Sequence, residues 1–338
     1  MYGSGFSKEK IKKKIRAANY ITVAQIFLKD NFLLDRQLIS DDIKPRLLGH
    51  WGTCPGVNIA YNCLKSYFDD ENFSFILGPG HGFPALQANL FIEGEIEKVD
   101  KKATRNRSGL EYICKNFSWP GGFPSHCTPV TPGVICEGGE LGYAFAMAYG
   151  YVLGHPEKTT AVLIGDGEFE TATALASMNL NKMLSGKNNG SVLPILHLNG
   201  YKISAPTIAG RKSERELNEL VRGFGFTPIL VRGDNEDAEA AIDYIIDDFE
   251  NALKEADEIF RAIKRGEKKN PPFIIMKTDK GLTGPEELNG EKLRGNFKSH
   301  QVPLPNAKTD KNEREILEKW LSSYRFIELF DEEKGFVI

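Results

Sequence analysis

The sequence predicts an α/β fold in which a mostly parallel sheet carries helices on both faces. Short, uninterrupted apolar runs such as 161–164 and 193–198 are typical of strands buried on both sides. Residues 236–265 instead place apolar side chains at steps of three and four, which predicts one long helix with a buried stripe. Because strands and helices alternate, we expect ligands at the carboxyl ends of the strands.

The other elements follow from the same patterns. Strands are predicted at 73–77, 161–164, 193–198, 227–231 and 273–276. Helices are predicted at 8–30, 57–67, 85–93, 143–149, from after Gly167 to about Leu184, 214–223 with Ser213 as N-cap, 236–265 and 313–322. The lysine-rich start of the first helix is typical of a solvated face. We expect one α/β domain at 1–302, including a helical extension at 1–40, and a tail or linker at 303–338 whose apolar residues indicate that it packs on a surface not identified from the sequence.

Composition narrows the class of protein. The chain has 338 residues and a net charge of −3, which gives no reason to expect a nucleic acid or an acidic membrane as partner. Its five cysteines show no C-x-x-C spacing, which favours free thiols over a disulfide framework or a zinc site. Neither a signal peptide nor a membrane-spanning run is visible, so we expect a cytoplasmic protein.

Two strand ends carry oxygen ligands suited to a divalent ion. Gly165-Asp166-Gly167-Glu168 follows the strand at 161–164, and Asn199 follows the strand at 193–198. A carboxylate and an amide oxygen form a sparse, hard ligand set that Mg²⁺ completes with phosphate oxygens and water. An ordinary glycine-containing turn between strand and helix would explain the first motif equally well, so the rest of the chain must decide.

Four of the six histidines lie in loops rich in glycine and proline: His50, His81, His126 and His300. A single histidine in such a loop is more often incidental than catalytic. Four at one predicted sheet edge, beside a metal and diphosphate site, favour proton transfer on a polyhydroxylated, phosphorylated substrate. We interpret His155 and His197 as structural.

Glycine-rich turns raise two further alternatives. Residues 137–142 precede a predicted helix, where backbone N–H groups favour an anion such as a diphosphate, although a tight packing turn explains this piece alone better. Residues 78–84 look superficially like a dinucleotide loop, but the third glycine of that fingerprint is absent and two prolines are badly placed for it. A stiff turn that presents His81 is the simpler interpretation.

Several of these segments together resemble the phosphoketolase family, whose motifs they follow in order over nearly the whole chain. The matching segments are Gly49-His50-Trp51-Gly52-Thr53, Gly78-Pro79-Gly80-His81-Gly82, Phe123-Pro124-Ser125-His126, Glu137-Gly138-Gly139-Glu140-Leu141-Gly142, Gly165-Asp166-Gly167-Glu168, His197-Leu198-Asn199-Gly200-Tyr201-Lys202 and Ser299-His300-Gln301-Val302-Pro303. Transketolases share the fold and the thiamine diphosphate (ThDP) site, but they match less of this loop sequence. The spacing from Asp166 to Asn199 is somewhat longer than in most ThDP proteins.

The resemblance implies roles for the matching positions. Mg²⁺ would be coordinated by Asp166, Asn199 and the main-chain carbonyl of Tyr201. The diphosphate would lie along Gly139, Gly165, Gly167 and Glu168. His50, Lys280 and His300 would lie near the cofactor, and His50, His81 and His126 would face the sugar phosphate. The implied reaction cleaves xylulose 5-phosphate or fructose 6-phosphate with inorganic phosphate, giving acetyl phosphate and an aldose phosphate.

The family continues beyond the point that matches Ile338, with a pyrimidine-binding domain that carries the activating glutamate and then a third domain. The resemblance therefore implies an N-terminal subunit or fragment of a phosphoketolase that works in an oligomer with a complementary chain. Two alternatives stay open. A transketolase-like subunit would transfer the two-carbon unit to an aldose, and a non-catalytic ThDP-binding module would regulate a full-length enzyme.

Overall fold

A five-stranded parallel sheet forms the centre of the computed structural model, which describes residues 6–233 and 237–338. Its strands are β1 (Phe73–Leu77), β2 (Thr159–Gly165), β3 (Ser191–Leu198), β4 (Thr227–Gly233) and β5 (Pro272–Thr278). Their order is β1-β2-β3-β5-β4, and every neighbouring pair is parallel. The predicted α/β class with a parallel sheet is confirmed. Residues 1–5 of the predicted extension and residue 236 of the predicted long helix lie outside the described residues.

Helices cover both faces of this sheet. They are α1 (Lys8–Phe27), α2 (Cys54–Tyr67), α3 (Phe83–Glu93), α4 (Glu95–Val99), α5 (Arg107–Asn116), α6 (Ala144–Gly154), α7 (Asp166–Phe169), α8 (Ala172–Ser177), α9 (Glu214–Gly223), α10 (Ala238–Lys264) and α11 (Lys311–Ser323). Alternate residues of β2 enter opposite cores: Leu163 packs with α1, α2 and α10, and Val162 packs with α6 and α9. Within the described ranges, none of the helices is long and apolar enough to cross a membrane.

One predicted helix is wrong. The segment from Gly167 to Leu184 contains α7, α8 and a separate 3₁₀ turn at Met178–Lys182. The break occurs because the Thr171 hydroxyl accepts from the Ala174 N–H at 3.3 Å and starts a new helix as its N-cap. Helix α5 has no counterpart in the prediction; Asn106 caps it, and its apolar residues, including Leu110 and Ile113, are buried.

The C-terminal segment packs against the N-terminal helix. The ring of Trp320 in α11 meets Trp51 edge to face at a centroid distance of 4.8 Å and Phe27 of α1 at 5.9 Å. Its indole N–H also donates to the Tyr324 hydroxyl at 2.9 Å. The tail is thus part of the main hydrophobic core, and the boundary at residue 302 stays a prediction.

The lysine-rich face of α1 is less simply solvated than its composition indicates. Lys8 pairs with Asp247 at 2.6 Å and Lys12 pairs with Asp243 at 2.9 Å, both on α10. These partly exposed ion pairs contribute little stability each. They link α1 to α10, and Ile26 of α1 packs closely against Gly49, the residue before His50.

Candidate functional site

The parallel register of β2 and β3 places Asp166 and Asn199 at the same edge of the sheet. Gly165 pairs with His197, so Asp166 is the first residue beyond β2 and Asn199 the first beyond β3. Asp166 is only 2% exposed, and its Oδ2 accepts from the Gly200 N–H at 2.6 Å and from the Thr207 hydroxyl at 3.1 Å. These bonds hold the loop after β3 against the end of β2. Burial raises the pKa of Asp166 to about 6.

Lys280 completes this group from the loop after β5. Its Nζ donates to the Tyr201 carbonyl at 2.8 Å and to the Asn199 Oδ1 at 3.4 Å. The side chain is 2% exposed, and burial lowers its pKa to about 8 while the nearby Asp166 opposes this shift. Carboxylate, amide and main-chain carbonyl oxygens therefore surround a positive charge at this edge of the sheet.

This donor set fits Mg²⁺, which binds hard oxygen ligands and commonly keeps phosphate oxygens and water in its shell. Among the described residues, no three His, Cys, Asp or Glu side chains are grouped in a way that could hold a metal ion. The ion would therefore depend on the single carboxylate of Asp166, two neutral oxygens and ligands that come from outside the chain. A diphosphate would supply such ligands.

The four loop histidines form one group. The ring of His50 lies at the centre, with centroid distances of 4.9 Å to His81, 5.9 Å to His126 and 5.3 Å to His300. His81 and His300 are 5.3 Å apart. The convergence that the sequence predicted is therefore present, although the four residues come from four separate loops.

Burial lowers the pKa of all four rings. The pKa of His50 falls to about 4 and that of His300 to about 3, with the charges of Lys280 and of neighbouring histidines adding to the effect of burial. The group is therefore neutral near pH 7. Each neutral imidazole offers one N–H donor and one acceptor nitrogen, which suits contacts with hydroxyl groups.

The glycine-rich loop is held on the sheet edge by close backbone contacts. A Cβ on Gly80 would lie 2.3 Å from the carbonyl carbon of Gly138, so the turn after β1 and this loop touch through their main chains. Gly138 N–H also donates to the Cys127 carbonyl at 2.9 Å. Gly139 has a φ of +130°, which side chains rarely adopt. These contacts pack the loop tightly against the turn after β1, which is compatible with either a packing turn or an anion-binding turn.

Glu168 joins that loop to the sheet edge that carries Asp166 and Asn199. Its Oε1 accepts from the Gly142 N–H at 3.1 Å, whereas its Oε2 has no hydrogen-bond partner among the described residues. The side chain is 2% exposed, and burial raises its pKa to about 7. A phosphate oxygen in this place would meet a carboxyl that is protonated much of the time, so Glu168 fits a site for a diphosphate.

His197 and His155 have structural surroundings. His197 is 1% exposed, and its two ring nitrogens face the hydroxyls of Thr53 at 3.3 Å and Thr278 at 2.8 Å. The ring of His155 stacks on Tyr151 at a centroid distance of 4.0 Å.

Thr207 is a direct hydrogen-bond partner of Asp166 that the sequence analysis did not identify. Nothing in the sequence of the loop at 200–210 distinguishes its hydroxyl from the others there.

The comparison with protein families gives one match. A family model described as "XFP N-terminal domain" matches residues 6–337. Proteins named as probable phosphoketolases are similar over most of this chain. The relative from Rhodopseudomonas palustris (strain BisB5) is 46% identical over 321 residues, covering 94% of this chain and 41% of its own length. The relative from Bradyrhizobium diazoefficiens is 44% identical over 322 residues, covering 94% of this chain and 40% of its own length. In Nostoc sp. (strain PCC 7120), "Probable phosphoketolase 2" is 43% identical over 333 residues, covering 95% of this chain and 41% of its own length.

Solved transketolase structures share the fold at much lower identity. A mutant transketolase from Pichia stipitis has a TM-score of 0.60 at 18% identity, covering 98% of this chain and 42% of that one. The transketolase from Leishmania mexicana has a TM-score of 0.58 at 19% identity, covering 94% of this chain and 45% of that one. The chain thus spans less than half of the proteins it matches.

Proposed function

The chain belongs to the phosphoketolase family, and we propose that it supplies the diphosphate- and metal-binding half of a phosphoketolase active site. The single observation that carries the proposal is that two groups of side chains lie at one sheet edge: the group of Asp166, Asn199 and Lys280, and the group of four histidines. Three neutral histidines converge around the neutral His50, and the charge of Lys280 acts on both His50 and His300 as well as on Asp166. A binding group for a metal diphosphate thus adjoins a binding group for a hydroxylated substrate.

In this proposal Asp166, Asn199 and the Tyr201 carbonyl hold Mg²⁺. The diphosphate of ThDP lies along Gly139, Gly165, Gly167 and Glu168. ThDP, when bound, supplies the carbanion stabilisation that the side chains themselves cannot provide. The residues of this chain bind and orient: the loop after β3 is held by Asp166, and Glu168 ties the glycine-rich loop to the same edge.

The histidines would handle the substrate's hydroxyl and phosphate groups. His50, His81 and His126 would face the sugar phosphate, and His300 with Lys280 would lie near the cofactor. Because the pKa of each ring is lowered, each keeps a lone pair that can accept a hydroxyl proton and an N–H that can donate to a leaving oxygen. Cleavage of xylulose 5-phosphate or fructose 6-phosphate to acetyl phosphate requires a hydroxyl group to take up a proton and leave as water, and N–H hydrogen bonds to its oxygen would assist that departure.

The other half of the site would come from a pyrimidine-binding domain, on this or another polypeptide. Exposed apolar side chains lie on two loops that also carry proposed site residues: Trp119, Val130, Leu141 and Tyr143 in the loop that contains His126 and Gly139, and Ile203 and Ile208 in the loop that contains Tyr201. Covering them in an oligomer would stabilise the assembly. We place the protein in the cytoplasm, where its five free thiols would stay reduced.

Calorimetric titration of the chain with ThDP in the presence of Mg²⁺ tests the proposal. Asp166→Ala removes the only carboxylate of the ligand set, so we expect ThDP affinity to fall by more than about tenfold, or roughly 1.4 kcal/mol. Asp243→Ala, which removes a carboxylate on α10 paired with Lys12, is the matched control and should leave the affinity unchanged. A smaller loss in Asp166→Ala would contradict the assignment.

Product analysis then decides the reaction. With the complementary domains present, acetyl phosphate formed from xylulose 5-phosphate and inorganic phosphate is the expected product. Transfer of the two-carbon unit to an added aldose, without acetyl phosphate, would favour the transketolase-like alternative. An assembly that binds ThDP and forms neither product would favour the non-catalytic module.

A further inference from the structure

We propose that the ammonium group of Lys280 takes the place of the metal ion in the metal-free chain. It holds together the proposed metal ligands, Asp166, Asn199 and the Tyr201 carbonyl (the ligand cage), until a divalent ion displaces it. The inference rests on the proposed metal site. Its basis is that two of the three proposed Mg²⁺ ligands are already engaged by one cation of the chain itself: the Tyr201 carbonyl at 2.8 Å and the Asn199 Oδ1 at 3.4 Å from Nζ.

The lysine and the ion cannot share this cage. Mg²⁺ binds oxygen at about 2.1 Å, and the ammonium needs the same lone pairs at slightly longer distance. Two cations within the same ring of oxygens would also repel each other, with little water between them because Lys280 is 2% exposed. Asp166, the third proposed ligand, attracts whichever cation is present. Metal loading is therefore an exchange of one cation for another.

The structure confines this exchange to one side chain. The Lys280 carbonyl accepts from the Gly295 N–H at 2.8 Å and from the Ser299 hydroxyl at 3.2 Å, so two hydrogen bonds anchor its main chain at this oxygen. Gly52 makes room for the stem, since a Cβ there would lie 3.0 Å from the Lys280 Cε. The side chain can turn out of the cage while the sheet edge stays in place.

Two opposite effects follow from this arrangement. In the metal-free chain, Lys280 donates to the Tyr201 carbonyl and gives the Asn199 Oδ1 a second donor beside the Tyr201 N–H at 3.2 Å, so it stabilises the loop after β3. Towards a divalent ion, the same ammonium is a competitor and lowers the affinity. A residue whose role was only to pack, or only to bind the diphosphate, would not combine a stabilising effect without metal and an opposing effect on metal binding.

The test is binding of Mn²⁺ alone, without ThDP, measured from the electron paramagnetic resonance signal of the free ion. Wild-type chain, Lys280→Met, Asp166→Ala and the surface control Lys298→Met are compared. We expect Lys280→Met to bind Mn²⁺ about tenfold or more tightly than wild type, equal to about 1.4 kcal/mol, and to melt at a lower temperature without metal. Lys298, which pairs with Glu291 on the surface, should have no effect on the affinity.

The outcomes distinguish failure of the proposed metal site from failure of the proposal that Lys280 substitutes for the ion. If Asp166→Ala loses Mn²⁺ and Lys280→Met shows no gain, the metal site stands and the substitution by lysine is wrong. If no variant binds Mn²⁺ even when inorganic diphosphate is added to supply the ligands from outside the chain, or if Asp166→Ala binds it as wild type does, the proposed site itself is wrong and the inference fails with it.

A second measurement uses only the wild-type chain, so its result does not depend on whether the Lys280→Met variant folds. Labelling with an amine-reactive acylating reagent, followed by peptide mass spectrometry, reports how accessible Lys280 is. We expect the amine to be protected without metal and to react several-fold faster at saturating Mn²⁺, because it has left the cage. Protection that is unchanged at saturating Mn²⁺ would overturn the exchange.

Discussion

The buried imidazole of His197 makes the stability of the site depend on pH in a way that can be measured. Its ring lies between Thr53 and Thr278 at the end of β3, and burial lowers its pKa from 6.5 to about 3, with the charge of Lys280 adding to the effect. The folded chain therefore keeps this ring neutral where the unfolded chain protonates it. The associated stability is fully present above pH 6.5 and is lost as the pH falls towards 3.

The magnitude follows from the two pKa values. Each pKa unit is worth about 1.36 kcal/mol. The free energy of unfolding should therefore fall by about 5 kcal/mol between pH 6.5 and 3, because the unfolded chain takes up a proton at His197 and the folded chain does not. Between pH 4 and 5.5 the free energy of unfolding should therefore change by about 1.4 kcal/mol per pH unit from this residue alone. In His197→Gln, which keeps a polar side chain at the position, that part of the slope should disappear.

Urea unfolding followed by circular dichroism at several pH values measures the slope. Other titrating groups are common to both chains and cancel in the difference. Thr53→Val is the matched control: it removes the hydroxyl beside the ring but keeps the buried imidazole, so the free energy of unfolding should fall while its pH slope stays as in wild type. Equal slopes for His197→Gln and wild type would refute the reasoning, whatever the absolute stabilities are.

Three further substitutions test other contacts. Trp320→Ala should lower the free energy of unfolding by about 3 kcal/mol in urea titrations, because it leaves a cavity against Trp51. Gly80→Ala should weaken Mg²⁺-dependent ThDP binding in calorimetry by about tenfold while the chain stays folded, because its Cβ would push the backbone of Gly138 away. Ser213→Ala removes the cap of α9 and should cost about 1 kcal/mol, with ThDP binding unchanged.

The parallel sheet was predictable because its strands carry their signal locally. The run at 161–164 is apolar at every position since both faces of β2 are covered, and the pattern of α10 repeats over seven turns. Likewise Ser213 and Glu216 form a capping box that starts α9 at the predicted residue. Patterns of this kind depend only on neighbours in the chain and on which side is buried.

The loops that meet at this sheet edge were predictable from the sequence, but their arrangement was not. Glycine, proline and histidine spacing selected the loops, and the parallel register alone places Asp166 beside Asn199. The position of His126 depends instead on the contact between Gly80 and Gly138, which are 58 residues apart and whose close approach leaves no local pattern. The break at Thr171 was missed for a related reason: the residues around it are good helix formers, and a single capping hydroxyl overrides them.

The charges at this sheet edge explain why the ion and the diphosphate should depend on one another. Without ligands, the carboxylate of Asp166 is balanced by the ammonium of Lys280, and the neighbouring histidines are neutral because the pKa of each ring is lowered. A divalent ion entering alone would leave excess positive charge in a partly buried place, and a diphosphate entering alone would leave excess negative charge. Either state is costly where water is scarce. If the two entered together, their charges would balance, and under our proposal Lys280 would leave the ligand oxygens and become available to pair with the phosphate groups.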